Sequence, residues 1–360
     1  MKKYSYLVLA LALAGFTSCG KKAEKKEASV TQKPAPLAPL EATVITDTVF
    51  HDTDDPAIWY NANSPESSLI VGTDKDVEGA IYAFGLDGKT RKMVRGLNRP
   101  NNVDIEYGFV LGNDTLDIAV FSERGRNMIR VYSLPALEPI DNGGIPVFEG
   151  DSLNRPMGVA LYKRPTDNAI FAIVGRKDGP QENYLWQYEL KNVAGAVAGE
   201  KVREFGAFSG KKEIEAICVD DASGFVYYSD EQFGIRKYYA DPEKGAEELA
   251  LFGQTGFQED IEGISIYTTG ETTGYILVSD QQANKFRVFP REGAEDNANN
   301  HPELSAFSAP TLESDGSESI SQPLGEKFPK GFFVAMSSDK TFKVFDWRDV
   351  EKRITKNDVK

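Results

Sequence analysis

The chain has 360 residues and carries 55 acidic against 41 basic side chains, a formal net charge of −14. So acidic a chain is not suited to bind nucleic acid by neutralising its phosphates. With only two histidines and two cysteines, it also lacks the ligands of a multi-histidine zinc site. Hydrolytic chemistry would therefore have to use carboxylates, lysines or a metal ion held by oxygen atoms.

Residues 1–19 have the pattern of a secretory signal. Lysines precede an apolar run over residues 7–14, which is too short to span a bilayer. Cys19 follows small residues and resembles the lipobox of a bacterial lipoprotein, which implies lipidation of its thiol. Residues 20–40 are rich in Lys, Glu, Ala and Pro without periodicity and predict a disordered tether. We therefore expect an exported protein, lipid-anchored at the periplasmic or outer-membrane face of a Gram-negative envelope.

Residues 51–59 bring three carboxylates, those of Asp52, Asp54 and Asp55, close to Pro56. Carboxylates this close repel one another unless a cation or a shared proton relieves them. A hard cation such as calcium would be a suitable counter-ion, because it takes oxygen ligands in irregular geometry. The alternative is a solvated acidic turn before an edge strand, since Asp and Pro are common turn residues.

A strand rich in aromatic and β-branched residues recurs every ~50 residues, six times in all. The six copies lie at residues 81–84, 129–132, 185–188, 235–238, 285–289 and 342–345. In each repeat, this strand is preceded by a strand that ends in polar residues, and that strand is preceded by another. We place the earliest strand of the sixth repeat at residues 315–320. Residues 44–50 are expected to join the last repeat and close a ring. The pattern predicts an all-β fold, a six-bladed β-propeller over residues 41–360.

Each repeat changes from apolar to charged residues at matching points. In a propeller, matching points of different blades meet on one face around the central channel. We therefore expect the following residues to converge: Asp54, Asp55, Lys75, Arg124, Lys177, Glu215, Glu231, Asp260, Glu262 and Asp315. The alternative is a set of independent surface turns.

Residues 51–59 and 101–107 resemble the two signature motifs of β-propeller phytases, D-A-x-D-D-P-A-(I/L/V)-W and N-N-(V/I)-D-(I/L/V)-R-Y. Residues 260–263, 315–316 and 330–335 match further segments of that family. The resemblance implies a 3-phytase-type phosphoric monoester hydrolase. Such an enzyme would use several calcium ions and a metal-activated water to release phosphate from phytate, myo-inositol hexakisphosphate, and from lower inositol phosphates.

The resemblance also assigns roles to individual residues. It implies a structural calcium held by Asp55, Asn101 and the Val103 carbonyl, with Asp54 counted among the metal ligands. The acidic residues that would hold catalytic calcium are Glu215, Glu231, Asp260, Glu262 and Asp315. The basic residues that would bind substrate phosphates are Lys75, Arg124 and Lys177. We expect a monomer whose membrane contact is its lipid anchor.

Three positions depart from the family pattern, and two other functions stay open. His51 replaces the first Asp of the first motif, Glu106 replaces the Arg of the second, and Met157 stands where a Tyr is expected. The alternatives are a calcium-dependent propeller hydrolase of another class, such as a lactonase, and a non-catalytic ligand-binding propeller. Fold alone does not decide among them.

Overall fold

A computed structural model describes residues 40–357, with side chains as far as residue 354. The predicted signal sequence, Cys19 and all but the last residue of the predicted tether lie outside this range. Within it, 25 strands form six antiparallel sheets, and one α-helix follows the last strand. None of the helices in this range has the length and apolar character needed to cross a membrane.

The strands follow one another along the chain in six groups. A short strand β1 (Val44–Ile45) comes first. Blade 1 contains β2 (Thr53–Trp59), β3 (Leu69–Asp74), β4 (Gly79–Gly85) and β5 (Thr90–Leu97). Blade 2 contains β6 (Pro100–Leu111), β7 (Asp114–Glu123), β8 (Met128–Leu134), β9 (Glu138–Pro139) and β10 (Ile145–Pro146). Blade 3 contains β11 (Pro156–Lys163), β12 (Ile170–Arg176), β13 (Leu185–Val193) and β14 (Ala196–Phe205).

The second half of the chain repeats the arrangement. Blade 4 contains β15 (Ile217–Asp220), β16 (Phe225–Asp230), β17 (Gly234–Tyr239) and β18 (Ala250–Phe252). Blade 5 contains β19 (Ile261–Thr268), β20 (Gly274–Asp280), β21 (Lys285–Pro290) and β22 (Ser305–Ser308). Blade 6 contains β23 (Ser317–Ile320), β24 (Phe332–Ser337) and β25 (Thr341–Asp346). Short 3₁₀ helices lie at Pro65–Ser67, Arg124–Arg126, Pro242–Lys244 and Gln281–Ala283.

The six sheets form a closed ring around a central cavity. The first strand of every blade contributes to the lining of this cavity, and each first strand also contacts the first strands of the two neighbouring blades. Strand β1 completes blade 6 by pairing with β25, with Val44 opposite Val344. The predicted six-bladed propeller, the strand within residues 315–320 and the closure by residues 44–50 are therefore confirmed.

The hydrophobic core lies between the blades. Six apolar clusters are present among the described residues, and each joins two neighbouring blades. Strand β4 shows why the sequence is apolar on both faces: Ile81 and Ala83 pack toward blade 2, whereas Tyr82 and Phe84 pack toward blade 6. Aromatic and β-branched side chains fit these flat, two-sided interfaces well.

Helix α1 (Trp347–Asn357) was not predicted. Its buried residues Trp347, Val350 and Ile354 recur at helical spacing. They belong to the same apolar cluster as residues of blades 5 and 6, and Trp347 stacks on Tyr267. The lysine-rich tail conceals this pattern in the sequence, but three apolar residues are enough to attach the helix to the propeller.

Candidate active site

β-Bulges position several of the predicted site residues. Register breaks occur near the start of the first strand in four blades, between Thr53 and Pro56, Pro100 and Val103, Pro156 and Val159, and Ile261 and Ile264. Asp54, Asp55, Asn101, Met157 and Glu262 lie within these breaks. A bulge turns the side chains of the extra residues away from the ordinary alternation of a strand.

The interpretation of residues 51–59 as an acidic turn before a strand is wrong in one respect. Strand β2 already begins at Thr53 and includes both aspartates and Pro56. Proline fits here because β2 is the first strand of its sheet, with only β3 as a ladder partner, and because the bulge interrupts that ladder.

One backbone hydrogen bond recurs in all six blades. The residue after the second strand donates its N–H to the carbonyl of a residue that precedes the first strand, by one position in blades 1, 2, 3 and 5 and by four or five positions in blades 4 and 6. The six donors, in blade order, are Lys75, Arg124, Lys177, Glu231, Gln281 and Ser338. Blades 1 to 3 therefore present cations at this position, whereas blade 4 presents a carboxylate and blades 5 and 6 present neutral polar groups.

A first network of charged groups joins blade 1 to blades 2, 4 and 6. Lys75 forms ion pairs with the buried Asp54 and with Asp315, whose Oδ2 lies 3.1 Å from Lys75 Nζ. Asn101 Nδ2 donates to Asp54 Oδ2 at 3.2 Å and to Glu215 Oε1 at 3.4 Å. Burial raises the pKa of Asp54 to about 7, with Lys75 opposing the shift and Glu215 reinforcing it.

Two overlapping clusters of buried carboxylates share Glu231. One cluster consists of Glu213, Glu215 and Glu231, and the other of Glu231, Asp260 and Glu262. Within each cluster, carboxylate oxygens of the three residues lie within 4.8 Å of one another. Burial raises the pKa of Glu231 to about 8, against the effect of Lys212. The pKa of Glu262 is also raised, first by burial and then by the charge of Glu231.

Lys212 lies among the carboxylates of the second cluster. Its Nζ lies 2.7 Å from both Glu231 Oε2 and Asp260 Oδ2, and 4.0 Å from Glu262 Oε1. Burial acts to lower the pKa of Lys212, but the hydrogen bonds to Asp260 and Glu231 outweigh burial and raise it.

Glutamine side chains hold two of the carboxylates in place. Asp260 accepts hydrogen bonds from Gln232 Nε2 at 2.8 Å and from Gln282 Nε2 at 2.7 Å, and its own N–H donates to Gln282 Oε1. Gln281 Nε2 donates to Asp315 Oδ1 at 2.5 Å. Burial acts to raise the pKa of Asp260, but its hydrogen bonds from the lysine and the glutamines lower it.

The two other predicted phosphate-binding residues have different partners. Lys177 Nζ lies 2.6 Å from Glu213 Oε1. Arg124 Nη1 lies 2.7 Å from the sulfur of Met157. The methionine that replaces the expected tyrosine is therefore buried against a predicted substrate-binding residue.

Asp55 has a different environment from Asp54. It lines the central cavity, of about 100 Å³, together with Val103, Asp104 and Glu318. Asp55 Oδ2 accepts a hydrogen bond from the Val103 N–H at 3.0 Å, and burial raises the pKa of this carboxyl. The structure thus places two of the three predicted structural-calcium ligands, Asp55 and Val103, at this cavity, and places Asn101 in the charged networks at one end of the channel. The other predicted residues also lie in those networks, except Arg124, which contacts Met157.

His51 and Glu106, which depart from the family pattern at the edges of the two motifs, lie in different surroundings. His51 is exposed, and its backbone N–H donates to Asp74 Oδ1 at 3.0 Å. Glu106 is buried and shares a hydrogen bond with Asp221. Burial, followed by the charge of Glu106, raises the pKa of Asp221 to about 8.

The donor set fits a hard cation such as calcium, because all the converging ligand groups offer oxygen. Glu231 Oε1, Glu262 Oε2 and Asn101 Oδ1 are buried without a hydrogen-bond partner among the described residues. The charged networks also contain four more carboxylates than lysines. The carboxylates are Asp54, Glu213, Glu215, Glu231, Asp260, Glu262 and Asp315, and the lysines are Lys75, Lys177 and Lys212. This surplus equals the charge of two divalent cations.

Five residues of these networks were not predicted: Lys212, Glu213, Gln232, Gln281 and Gln282. Gln281 could have been found by aligning the repeats, because it follows β20 as Lys75 follows β3. Glu213 is two residues from Glu215, a spacing that places both on one side of an extended chain. No comparable pattern marks Lys212, Gln232 or Gln282.

Comparison with known proteins identifies the family of the chain. The family model described as phytase matches residues 3–356. The 3-phytase of Bacillus subtilis (strain 168) is 30% identical over 320 residues, which cover 84% of this chain and 81% of that protein. Among solved structures, the WD40 β-propeller domain of Doa1 aligns with a TM-score of 0.48 and 12% identity, over 80% of this chain and 77% of that chain. Because the family match extends over nearly the whole sequence, the chain belongs to the phytase family.

Proposed function

We propose that the protein is a calcium-dependent phytase that releases phosphate from phytate and lower inositol phosphates. The observation that supports this most directly is the surplus of buried carboxylates at one end of the channel, in a chain of the phytase family. Phytate is itself a dense polyanion, so an acidic site can bind it only if cations reverse the local field.

The two carboxylate clusters would hold the calcium ions. Their members are Glu213, Glu215, Glu231, Asp260 and Glu262. Bound calcium would attract phosphate oxygens and make a neighbouring water easier to deprotonate. The chain's own contribution is to fix the carboxylates, as Gln232 and Gln282 fix Asp260, so that the site needs little rearrangement during the reaction.

The cations of blades 1 to 3 would bind the substrate phosphates. Lys75, Arg124 and Lys177 hold the same position in three consecutive blades, opposite the acidic half of the ring. A substrate with several phosphates could therefore contact the metal-binding side and the cationic side at once. Lysine acts as a point charge, while Arg124 can bind two oxygens and stabilise negative charge on the transferred phosphoryl group.

The location of the protein is part of the proposal. We propose export followed by lipid attachment at Cys19, with the propeller held at the cell envelope as a monomer. The supporting pattern is the short apolar run followed by small residues and a single cysteine. Mass spectrometry of the protein from a bacterial membrane fraction should find acyl chains on wild type and none on Cys19→Ser.

The test of activity is phosphate release from phytate by the purified protein, with calcium and with excess chelator. We expect release only with calcium, loss of release in Asp260→Ala and Glu215→Ala, and normal release in Glu138→Ala, which changes an exposed surface carboxylate. Chelator should also lower the thermal midpoint, because calcium binds the native state.

Release that persists in chelator would contradict the calcium dependence. No release under either condition, from protein with a normal thermal midpoint, would contradict the phytase activity and favour a non-catalytic propeller. Hydrolysis of a lactone in place of phytate would instead favour the lactonase alternative.

A further inference from the structure

We propose that Lys212 is a built-in counter-ion of the calcium site, which occupies the second carboxylate cluster in the metal-free protein and is displaced when calcium binds. The inference rests on the proposed function, because it concerns the cations of the same site. It assigns a role to a residue that lies outside the repeat position shared by Lys75, Arg124 and Lys177.

The position of the Lys212 ammonium is the first argument. Its nitrogen lies 2.7 Å from Glu231 Oε2 and 2.7 Å from Asp260 Oδ2, with Glu262 Oε1 at 4.0 Å. The same three carboxylates form one of the clusters that could hold a metal ion. Calcium contacts its oxygen ligands at about 2.3–2.6 Å. A calcium ion and the ammonium therefore cannot both lie between Glu231 and Asp260.

The charge balance is the second argument. One ammonium faces three carboxylates, and it leaves Glu231 Oε1 and Glu262 Oε2 buried without a hydrogen-bond partner among the described residues. A divalent cation supplies twice the charge and can contact several oxygens at once. Calcium should therefore displace Lys212, whereas the ammonium alone reduces the repulsion among the carboxylates without removing it.

The freedom of the side chain is the third argument. Lys212 lies between β14 and β15, outside the strands, and its side chain is 36% exposed. Lys75 is only 17% exposed and follows directly on a strand. The long stem of Lys212 can withdraw its ammonium to solvent without moving the blades.

The consequence is a competition between one side chain and the metal. Displacing Lys212 breaks two close ion pairs, so the lysine should weaken calcium binding and set the calcium concentration at which the cluster fills. In the absence of calcium it should stabilise the fold, because it partly neutralises the buried Glu231.

The test compares Lys212→Met with Lys211→Met. Lys211→Met removes the same charge one residue away. In wild type, Lys211 Nζ donates to the Gln232 backbone carbonyl rather than to a carboxylate. Calcium binding is measured by titration calorimetry without substrate, and the thermal midpoint is measured in chelator. We expect Lys212→Met to bind one calcium about tenfold more tightly than wild type and to have a lower midpoint in chelator. Lys211→Met should match wild type in both measurements.

Lys212→Arg keeps the charge and should bind calcium no more tightly than wild type. If Lys212→Met unfolds in chelator, calcium affinity is instead measured as the calcium concentration that gives half of the full rise in thermal midpoint. This concentration should be lower for Lys212→Met than for wild type. Calcium affinity in Lys212→Met equal to or weaker than that of wild type would overturn the inference and leave the proposed function standing. A wild-type protein that binds no calcium would overturn the proposed function, and the inference with it.

Discussion

Lys75 and Asp315 form an ion pair across the closure of the ring, with 3.1 Å between Nζ and Oδ2. They lie in blades 1 and 6 and are 240 residues apart in sequence. The pair can form only when the last blade packs against the first, a contact that β1 reinforces by pairing with β25. Completion of the site and closure of the fold are therefore coupled.

Replacing Lys75 by methionine should lower both activity and stability. Asp54 is fully buried and would lose its cation, which costs about 3 kcal/mol when a buried pair is broken. Loss of a cation that we propose binds a substrate phosphate should lower kcat/KM for phytate about 100-fold. Urea unfolding in chelator and phosphate release with calcium measure the two effects.

Lys89→Met is the control for this variant, because Lys89 pairs with Asp47 on the exposed surface of the same blade. It should leave both measurements unchanged. Normal stability of Lys75→Met in chelator would contradict the role assigned to the buried ion pair.

Replacing Glu231 by glutamine should have opposite effects on stability and function. The folded-state pKa of Glu231 is raised to about 8, so ionisation of this side chain lowers the free energy of unfolding. The loss is absent well below the pKa of Glu231 in the unfolded chain and is complete above about pH 8. In chelator the thermal midpoint of Glu231→Gln should therefore exceed that of wild type at about pH 9 and equal it at about pH 4. Calcium binding should be lost, because the proposed site loses one charged ligand.

Thermal unfolding across this pH range and calcium calorimetry check both outcomes. Glu247→Gln is a control and should leave both measurements unchanged, because Glu247 is an exposed carboxylate of the same blade outside the clusters. A midpoint difference between Glu231→Gln and wild type that does not grow with pH would show that the buried charge does not destabilise the metal-free protein.

The buried carboxyl pair of Glu106 and Asp221 gives a pH dependence of another origin. Burial and the charge of Glu106 raise the pKa of Asp221 to about 8. A carboxyl with a raised pKa costs stability as pH rises toward that value. Glu106→Gln should therefore raise the free energy of unfolding on the order of 1 kcal/mol above about pH 8. The gain should shrink near pH 5, and phytate hydrolysis should be unchanged. Denaturant unfolding of both proteins at about pH 5 and above about pH 8 measures this difference. An equal gain in the free energy of unfolding at both pH values would show that repulsion between the charges of Glu106 and Asp221 is not its cause.

The propeller could be predicted because its physical cause is local. A strand such as β4 must face two blades at once, so aromatic and β-branched residues fill both of its faces, and the repeat appears in the sequence six times. Helix α1 was missed because its buried stripe consists of only Trp347, Val350 and Ile354. The bulges were missed as well, since they depend on register between strands.

The candidate site was predictable only where the repeat fixes a position. Lys75, Arg124 and Lys177 follow the second strands of their blades, and alignment of the repeats is enough to bring them together. Lys212 comes from a connection that belongs to no repeat position, and it reaches Asp260, 48 residues away, through the packing of blades 4 and 5. Such a contact is set by tertiary structure and leaves no local pattern.

The bulges suggest a last prediction, at Gly158 in β11. A Cβ at this position would overlap the backbone carbonyl oxygen of Glu215 in the next blade. The need for glycine is therefore steric, and Gly158→Ala should push the inner strands of blades 3 and 4 apart at a residue of the first carboxylate cluster. We expect a loss of about 1–3 kcal/mol in the free energy of unfolding, together with weaker calcium binding.

Gly175→Ala is the matched control, because Gly175 lies in β12 of the same blade and its added Cβ would meet its nearest atom at 3.2 Å. This contact is tight but can be relieved by a small shift, so stability should fall less and calcium affinity should stay near that of wild type. Denaturant unfolding and calcium calorimetry on both variants separate the two effects. If Gly158→Ala bound calcium as wild type does, the bulge would be a packing feature of the blade interface without a role in placing Glu215.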